Sequence, residues 1–217
     1  NWTGCGNYRV IKPFKALEQT LALEGGVIHG TPSVMEVAIA QPDIILLALS
    51  LDDAIIPIIE NYRKVSNAKI VLEYDDNYPK IPQKNAFRSQ IPKNIASRLR
   101  RIAEHADWMV VSTKPLAQAY AHLHNDIRVA RNKLDIEQWG HLRSQKRGNV
   151  KPRVGWAGGT SHRGDLEILL PLIKELSDEV DWVFMGMKPQ GVECEFHMPV
   201  PFERYPEKLS SLDLDLA

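Results

Sequence analysis

Residues 151–176 read KPRVGWAGGTSHRGDLEILLPLIKEL, and this stretch is the most informative part of the sequence. It begins with a short β-rich run, residues 153–157, and continues into Gly158 and Gly159, whose lack of a side chain permits a tight turn. Apolar residues then recur at three- and four-residue spacing, which is typical of an amphipathic helix. They are Leu166, Leu169, Leu170, Ile173 and Leu176. The stretch therefore predicts a strand, a glycine turn and a helix.

The residues around the glycine turn favour a phosphate-binding site. Thr160 or Ser161 is expected to cap the helix, whose start carries about half a positive elementary charge and presents unpaired N–H groups to a ligand. His162 and Arg163 add hydrogen-bond donors at the same place. The alternative is that the glycines form only a structural turn between strand and helix. The sequence matches neither the GxGxxG dinucleotide fingerprint nor the GK[ST] end of a P-loop.

The composition limits the classes of protein and partner. With 217 residues the chain exceeds an average domain of about 100–150 residues, so two α/β lobes, or one and a half, are expected. Its 27 basic and 27 acidic residues cancel, which argues against nucleic acid as a partner. The two cysteines, Cys5 and Cys194, provide neither a disulfide framework nor a zinc knuckle, and a reducing cytoplasm is the expected compartment.

Nothing in the sequence predicts insertion into a membrane. No run approaches the roughly 20 apolar residues of a membrane span, and the first residues, NWTGCG, lack the pattern of a signal peptide. Peripheral association with the inner face of the membrane is left open, because Arg143, Lys146, Arg147 and Lys151 could contact an anionic surface. A solvated linker is the favoured explanation of those cations.

Short β-rich runs alternate with helical patterns along the first part of the chain. The β-rich runs are residues 43–50, 69–75, 108–113 and 127–131, and the helical patterns are residues 54–65, 95–106 and 116–123. Such alternation gives crossover units and a mostly parallel sheet, with ligands at the carboxyl ends of the strands. Residues 1–131 are therefore predicted to form a Rossmann-like lobe.

A second alternation follows a polar and basic segment, residues 132–152, which we interpret as an interdomain linker. After the glycine-turn unit it contains β-rich runs at residues 181–186 and 193–200, a helical pattern at residues 204–212 and the final DLDLA. An apolar strand with nothing after it cannot complete a doubly wound sheet. Residues 153–217 are therefore expected to form an incomplete second Rossmann-like lobe.

The order and spacing of five motifs resemble the GT-B glycosyltransferases. The motifs are GCGNYRVIKPFKAL, EYDDNYPKIP, VVSTKPLAQAY, RNKLDIEQW and GWAGGTSHRGDLEILLPLI. Over residues 4–217 the chain is similar to bacterial enzymes of the retaining, nucleotide-sugar-dependent group called family 4. The resemblance implies two lobes and transfer of a sugar from a nucleotide-sugar donor to a saccharide, lipid-linked or protein acceptor. By analogy, polysaccharide biosynthesis is the implied setting.

The resemblance also implies a donor site in the second lobe. The donor diphosphate would lie on Gly158, Gly159, Thr160 and Ser161. Arg163 lies directly before a glycine, and the basic residue that binds the phosphates in the family has the same position. A hydrogen bond from a guanidinium to a phosphate contributes about 1.5–3 kcal/mol to binding. Many relatives have a second Arg where this chain has Trp156, so His162 is the candidate replacement. Gly186 corresponds to the nucleobase side, although a simple turn explains it equally well.

On the acceptor side, residues 4–9 resemble the first loop of the family. In relatives this loop follows the first strand and approaches the reacting sugar, which places Gly6, Tyr8 and Arg9 at the cleft. The alternative is that Gly4 and Gly6 form an ordinary turn.

Asp75 and Asp76 are the candidate catalytic residues. They follow a β-rich run at its carboxyl end, where an α/β sheet places its chemistry, and Asp75 stands where many relatives have a histidine. Neighbouring carboxylates disfavour each other's ionisation, which suits a general base or an anchor, and such a base contributes about 10²–10⁴ in rate. Metal binding and capping of the next segment are the alternatives. The resemblance implies retaining, metal-independent transfer with no cofactor besides the donor.

Two other classes of function stay open. One is a non-catalytic glycosyltransferase-like binding module, favoured by Trp156 and by the end of the chain before the acidic segment that holds the donor ribose and sugar in relatives. This chain alone is therefore expected to bind nucleotide poorly. The other is a Rossmann dehydrogenase or methyltransferase, whose cofactor fingerprint is missing.

Overall fold

The computed structural model describes residues 4–144, 148 and 151–217. The chain divides into two compact units, which we call unit 1 (Asn1–Ile81 with Ile91–Lys133) and unit 2 (Pro82–Gln90 with Leu134–Ala217). Lys146 and Arg147 of the predicted linker lie outside the described residues.

In the described part of unit 1, four strands form a parallel sheet in the order β1-β2-β3-β4. The strands are β1 (Ile44–Ala48), β2 (Lys69–Tyr74), β3 (Trp108–Val111) and β4 (Ile127–Val129). The helices are α1 (Gly4–Gly6), α2 (Lys12–Gln19), α3 (Val34–Ala40), α4 (Ile55–Val65), α5 (Ile95–Ala103) and α6 (Lys114–Tyr120), with a π-helical stretch, Asn7–Ile11, between α1 and α2. The predicted α/β class and parallel sheet are confirmed.

The core of unit 1 fixes the carboxyl ends of β2 and β3. Helix α4 buries Ile59 and α5 buries Ile102 against the same face of the sheet, where Leu72 of β2 is fully buried. Each buried aliphatic side chain of this size contributes about 1.5–3 kcal/mol to the free energy of unfolding. The hydrophobic core therefore holds in place the strand ends that carry the candidate residues.

In the described part of unit 2, three strands form a parallel sheet in the order β5-β6-β7. The strands are β5 (Arg153–Ala157), β6 (Asp181–Met185) and β7 (Glu195–His197), and the helices are α7 (Ile136–Trp139), α8 (Arg163–Glu175) and α9 (Tyr205–Ser210). Phe184 of β6 packs with α8 through Leu166 and Ile173, and the neighbouring β6 residue Met185 packs with Leu212. The sheet is thus covered on both faces, as the alternation predicts.

Two local predictions are wrong. Residues 4–9 form neither a loop nor a turn, because the chain is helical from Gly4 through Gln19. The predicted N-cap position of α8 is also wrong, because residues Thr160–His162 form a 3₁₀ turn and the N-cap position of the helix is His162. Helix α7 lies within the predicted linker, where the side chain of Asp135 accepts a hydrogen bond from the N–H of Glu137.

Candidate functional site

The glycine turn after β5 is tied to the neighbouring strand by its backbone. The N–H of Gly158 donates to the carbonyl of Met185 over 3.1 Å, and the N–H of Gly186 donates to the carbonyl of His197 over 3.0 Å. Gly186 has a φ of +88°, and a side chain there would collide with the carbonyl oxygen of Gly158. The positive φ and the close packing together explain the glycine at the predicted nucleobase position.

The two glycines of the turn differ in what surrounds them. A Cβ on Gly158 would lie 2.6 Å from ring atoms of Trp156, so the indole requires glycine at that position. A Cβ on Gly159 would meet no described atom within 4 Å, and Gly159 is exposed. No contact within the described part of the chain explains the glycine at position 159. Open space over this residue is what a ligand that approaches the backbone needs.

His162 is held at the start of α8 by two neighbours. Its Nδ1 lies 2.8 Å from Oδ2 of Asp165, and its ring meets the Trp156 indole edge-on, with centroids 6.2 Å apart. His162 is the N-cap residue of α8, and its side chain makes no capping hydrogen bond to the helix. Arg163 is exposed and makes no hydrogen bond or ion pair with the residues that the structure describes. The turn thus combines open backbone with a cation that has no protein partner there.

Asp75 lies at the carboxyl end of β2, as predicted, and its carboxylate is held in place. The hydroxyl of Tyr78 donates to Oδ1 of Asp75 over 2.7 Å, and the hydroxyl of Ser112 donates to the Asp75 carbonyl over 3.1 Å. The hydroxyl of Tyr120 donates to the carbonyl of Asp76 over 2.7 Å. Both candidate carboxylates therefore sit on a backbone that buried side chains support.

The thiol of Cys5 is also hydrogen-bonded to the Asp75 carboxylate. Cys5 is exposed as a whole residue, but partial burial of its thiol, this hydrogen bond and the negative charge of Asp75 raise the pKa of Cys5 to about 12. At neutral pH the thiol is therefore protonated and not a nucleophile. Cys5 acts here as a neighbour of the carboxylate, although it was not among the predicted site residues.

Arg9, predicted at the acceptor cleft, makes a buried ion pair. Its Nε lies 2.6 Å from Oε1 of Glu73, and the side chains of Arg9 and Glu73 are only 5% and 2% exposed. The same guanidinium donates to the carbonyl of Ala130 and, over 2.9 Å, to Oδ1 of Asn132. Burial raises the pKa of Glu73, while the bond to Arg9 opposes this shift. Arg9 therefore ties the N-terminal helical stretch to β2 and to the end of β4.

The structure brings some predicted residues together and adds others. Gly6 and Tyr8 are partly buried in the same helical stretch as Arg9. The sequence analysis missed five residues around Asp75 and Arg9, which are Cys5, Glu73, Tyr78, Ser112 and Tyr120. Tyr78 lies three residues after Asp75, so local spacing could have suggested it. The contacts of Cys5 and Arg9 join residues more than sixty positions apart and leave no local signal.

Among residues 4–144, 148 and 151–217, no three or more His, Cys, Asp or Glu side chains are grouped to hold a metal ion. No helix in the described part of the chain has both the length and the apolarity required to cross a bilayer.

No protein-family model and no curated protein matches this chain. Among solved structures, the chain is similar to a mutant of TarM from S. aureus in complex with fondaparinux, alpha-GlcNAc-glycerol and UDP. The two chains share 13% identity with a TM-score of 0.44, and the match covers 85% of this chain and 35% of the TarM chain. This chain therefore spans about 35% of the length of that structure, and a TM-score this low supports no argument about activity.

Proposed function

We propose that the chain belongs to a glycosyltransferase of the GT-B type, which moves a sugar from a nucleotide-sugar donor to a saccharide, lipid-linked or protein acceptor. The observation that carries the proposal is the open backbone at Gly159 beside Arg163, which has no hydrogen-bond or ion-pair partner among the described residues, at the start of a helix whose N-cap residue His162 makes no side-chain capping bond. Together with the five sequence motifs, this geometry favours a diphosphate ligand.

On the donor side, the diphosphate would lie over Gly159 and accept hydrogen bonds from the N–H groups at the start of α8. Arg163 and His162 would supply side-chain donors from two directions. The Asp165 carboxylate, 2.8 Å from the imidazole, would orient His162. In this proposal Trp156 occupies the position at which many relatives have an Arg. Arg163 therefore contributes a larger share of the phosphate binding.

On the acceptor side, Asp75 would accept a hydrogen bond from the attacking hydroxyl. The bond between the donor sugar and the diphosphate breaks, a bond to the acceptor oxygen forms, and the hydroxyl proton leaves to the carboxylate or to the departing phosphate. We infer retention of configuration and independence from metal ions from the resemblance to family 4. A cytoplasmic location, with peripheral membrane contact, and a role in polysaccharide biosynthesis belong to the same proposal.

The test is a calorimetric titration of the chain with UDP, GDP and ADP. We expect weak but selective binding of one nucleotide, with the affinity reduced about tenfold or more by Arg163→Ala, because the change removes a charge-assisted bond to phosphate. Lys174→Ala is the control. It removes the same charge from the last turn of α8, 11 residues or about 16 Å further along the helix, and should leave affinity unchanged. Equal losses in both variants, or no nucleotide binding, would contradict the proposal.

A non-catalytic glycosyltransferase-like binding module is the second candidate, and Trp156 favours it. Its indole covers the turn in place of a phosphate-binding cation and offers an aromatic surface of the kind that saccharides stack on. Hydrolysis of a nucleotide-sugar by this protein would exclude a purely binding role. Nucleotide binding without turnover would favour it.

A further inference from the structure

Three tyrosines surround the carboxyl end of β2. Tyr74, the last residue of the strand, packs edge-on against Tyr78 with ring centroids 6.1 Å apart and against Tyr120 with centroids 5.9 Å apart. All three rings are buried in the core of unit 1. We call them the tyrosine cluster. Their packing leaves little freedom to the hydroxyls that point away from the rings.

The hydroxyls of this cluster fix the segment that carries the two aspartates. Tyr120 donates to the carbonyl of Asp76 over 2.7 Å and accepts from the N–H of Tyr78 over 3.1 Å. Pro79 follows Tyr78 in a 3₁₀ turn, Tyr78–Lys80, and its ring restricts the backbone there. The position of Tyr78 is thus set by the core and by the backbone before any ligand binds.

We propose that Tyr78 is a positioning residue, whose hydroxyl fixes the Asp75 carboxylate in the orientation that the reaction uses. This inference rests on the proposed function for the role of Asp75, and on the structure for the contact. The hydroxyl of Tyr78 donates to Oδ1 of Asp75 over 2.7 Å, whereas the Cys5 thiol hydrogen-bonds to the same carboxylate. The carboxylate is therefore held between two donors.

The protonation states suit this role. Burial and the charge of Asp75 raise the pKa of Tyr78, so its hydroxyl keeps its proton and remains a donor throughout the physiological range. The Cys5 thiol likewise stays protonated. Neither neighbour competes for the proton of an acceptor hydroxyl. They orient the carboxylate and leave the proton transfer to it.

Cys5 reports on the position of the carboxylate without any substrate. The experiment measures the rate of Cys5 alkylation by iodoacetamide at pH 8.5 in a Cys194→Ser background. Asp75→Asn should raise the rate about tenfold or more, because it removes the charge that disfavours the thiolate, and one pKa unit is a factor of ten in thiolate. Tyr78→Phe should raise it about threefold or more, because the freed carboxylate turns toward water and away from the thiol.

Tyr62→Phe is the matched control. Tyr62 is also a buried tyrosine of unit 1, and its hydroxyl donates to the carbonyl of Pro32 rather than to the site. Its variant should alkylate at the wild-type rate. An increase in Asp75→Asn but not in Tyr78→Phe would overturn the positioning role, and so would no increase in either. Equal increases in both phenylalanine variants would indicate general loosening and would also overturn it.

This outcome is separate from the outcome of the nucleotide titration. If nucleotides fail to bind while the alkylation rates change as expected, the contact stands and the glycosyltransferase proposal fails. If nucleotides bind and Tyr78→Phe alkylates like the wild type, only the positioning role fails.

Discussion

At the scale of single residues, the two glycines of the turn differ in whether packing requires them. Gly158 is glycine because Trp156 fills the space beside it, whereas Gly159 faces open space among the described residues. The sequence predicted both as one motif, since adjacent glycines look alike without their neighbours. Only the packed indole distinguishes them.

Alanine at each position should therefore have opposite effects on stability and binding. Gly158→Ala should lower the free energy of unfolding by about 1–3 kcal/mol, because the new Cβ must displace the Trp156 ring. Gly159→Ala should change it by less than about 1 kcal/mol, yet weaken binding of the nucleotide selected in the titration. Urea denaturation and calorimetry measure the two quantities. Full binding by Gly159→Ala would place the diphosphate elsewhere.

Gly186 and Gly191 form a second informative pair. Both have positive φ, +88° and +70°, but only Gly186 lies against another backbone segment, at the carbonyl of Gly158. Gly191→Ala should cost about 1–2 kcal/mol of unfolding free energy from the backbone conformation alone. Gly186→Ala should cost at least about 2 kcal/mol more, because the collision involves backbone that cannot move aside. Similar midpoints in urea for the two variants would argue against the close approach.

At the scale of secondary structure, the strands followed from the sequence better than the helix starts did. Each of the four β-rich runs predicted in unit 1 contains a strand, because buried parallel strands are near-continuous apolar segments. The helix that begins at Gly4 was not predicted, since glycine there is typical of turns. A contact distant in sequence, from Arg9 to Glu73, holds that stretch on the sheet. The helix and turn propensities of residues 4–9 do not reveal such a contact.

Asp107 connects elements of unit 1 and makes its stability depend on pH. Its Oδ2 accepts from the N–H of Ile70 over 2.8 Å and from Arg63 over 3.0 Å, and its Oδ1 accepts from Lys69 over 3.2 Å. Burial raises the pKa of Asp107, but these donors outweigh burial and lower it below its usual value. The ionised carboxylate therefore stabilises the fold above the unfolded-state pKa. This stabilisation is lost as the pH falls through the lower folded-state pKa.

Asp107→Asn should lower the free energy of unfolding by about 1–2 kcal/mol at pH 7. The difference from the wild type should shrink below about pH 4, where the wild-type carboxylate takes up a proton. Urea denaturation between pH 2.5 and pH 7 measures this difference. Asp178→Asn, which changes an exposed carboxylate after α8, should follow the wild type at every pH. A difference for Asp107→Asn that does not vary with pH would contradict the assigned role of its charge.

At the scale of the whole chain, the alternation of β-rich and helical segments predicted the α/β class and the parallel sheets. It did not predict that residues 82–90 group with unit 2, because this grouping depends on contacts distant in sequence. One is the ion pair between Lys84 and Glu167, with Nζ and Oε2 2.5 Å apart. The site at Asp75 was predicted from the strand end, whereas its supporting tyrosine cluster required the packed core. The spacing of residues along the chain predicts helices and strands. The partners of individual side chains depend on how those helices and strands pack together.

The place of residues 82–90 also limits how this chain can be recombined. The two units are interleaved along the sequence. The chain leaves unit 1 after Ile81, returns to it at Ile91 and leaves it again after Lys133. A chimera made with one junction, near residue 133, would combine residues 134–217 of one parent with residues 82–90 of the other within unit 2. Exchange of unit 2 between homologues would therefore need three junctions, with residues 82–90 transferred together with residues 134–217.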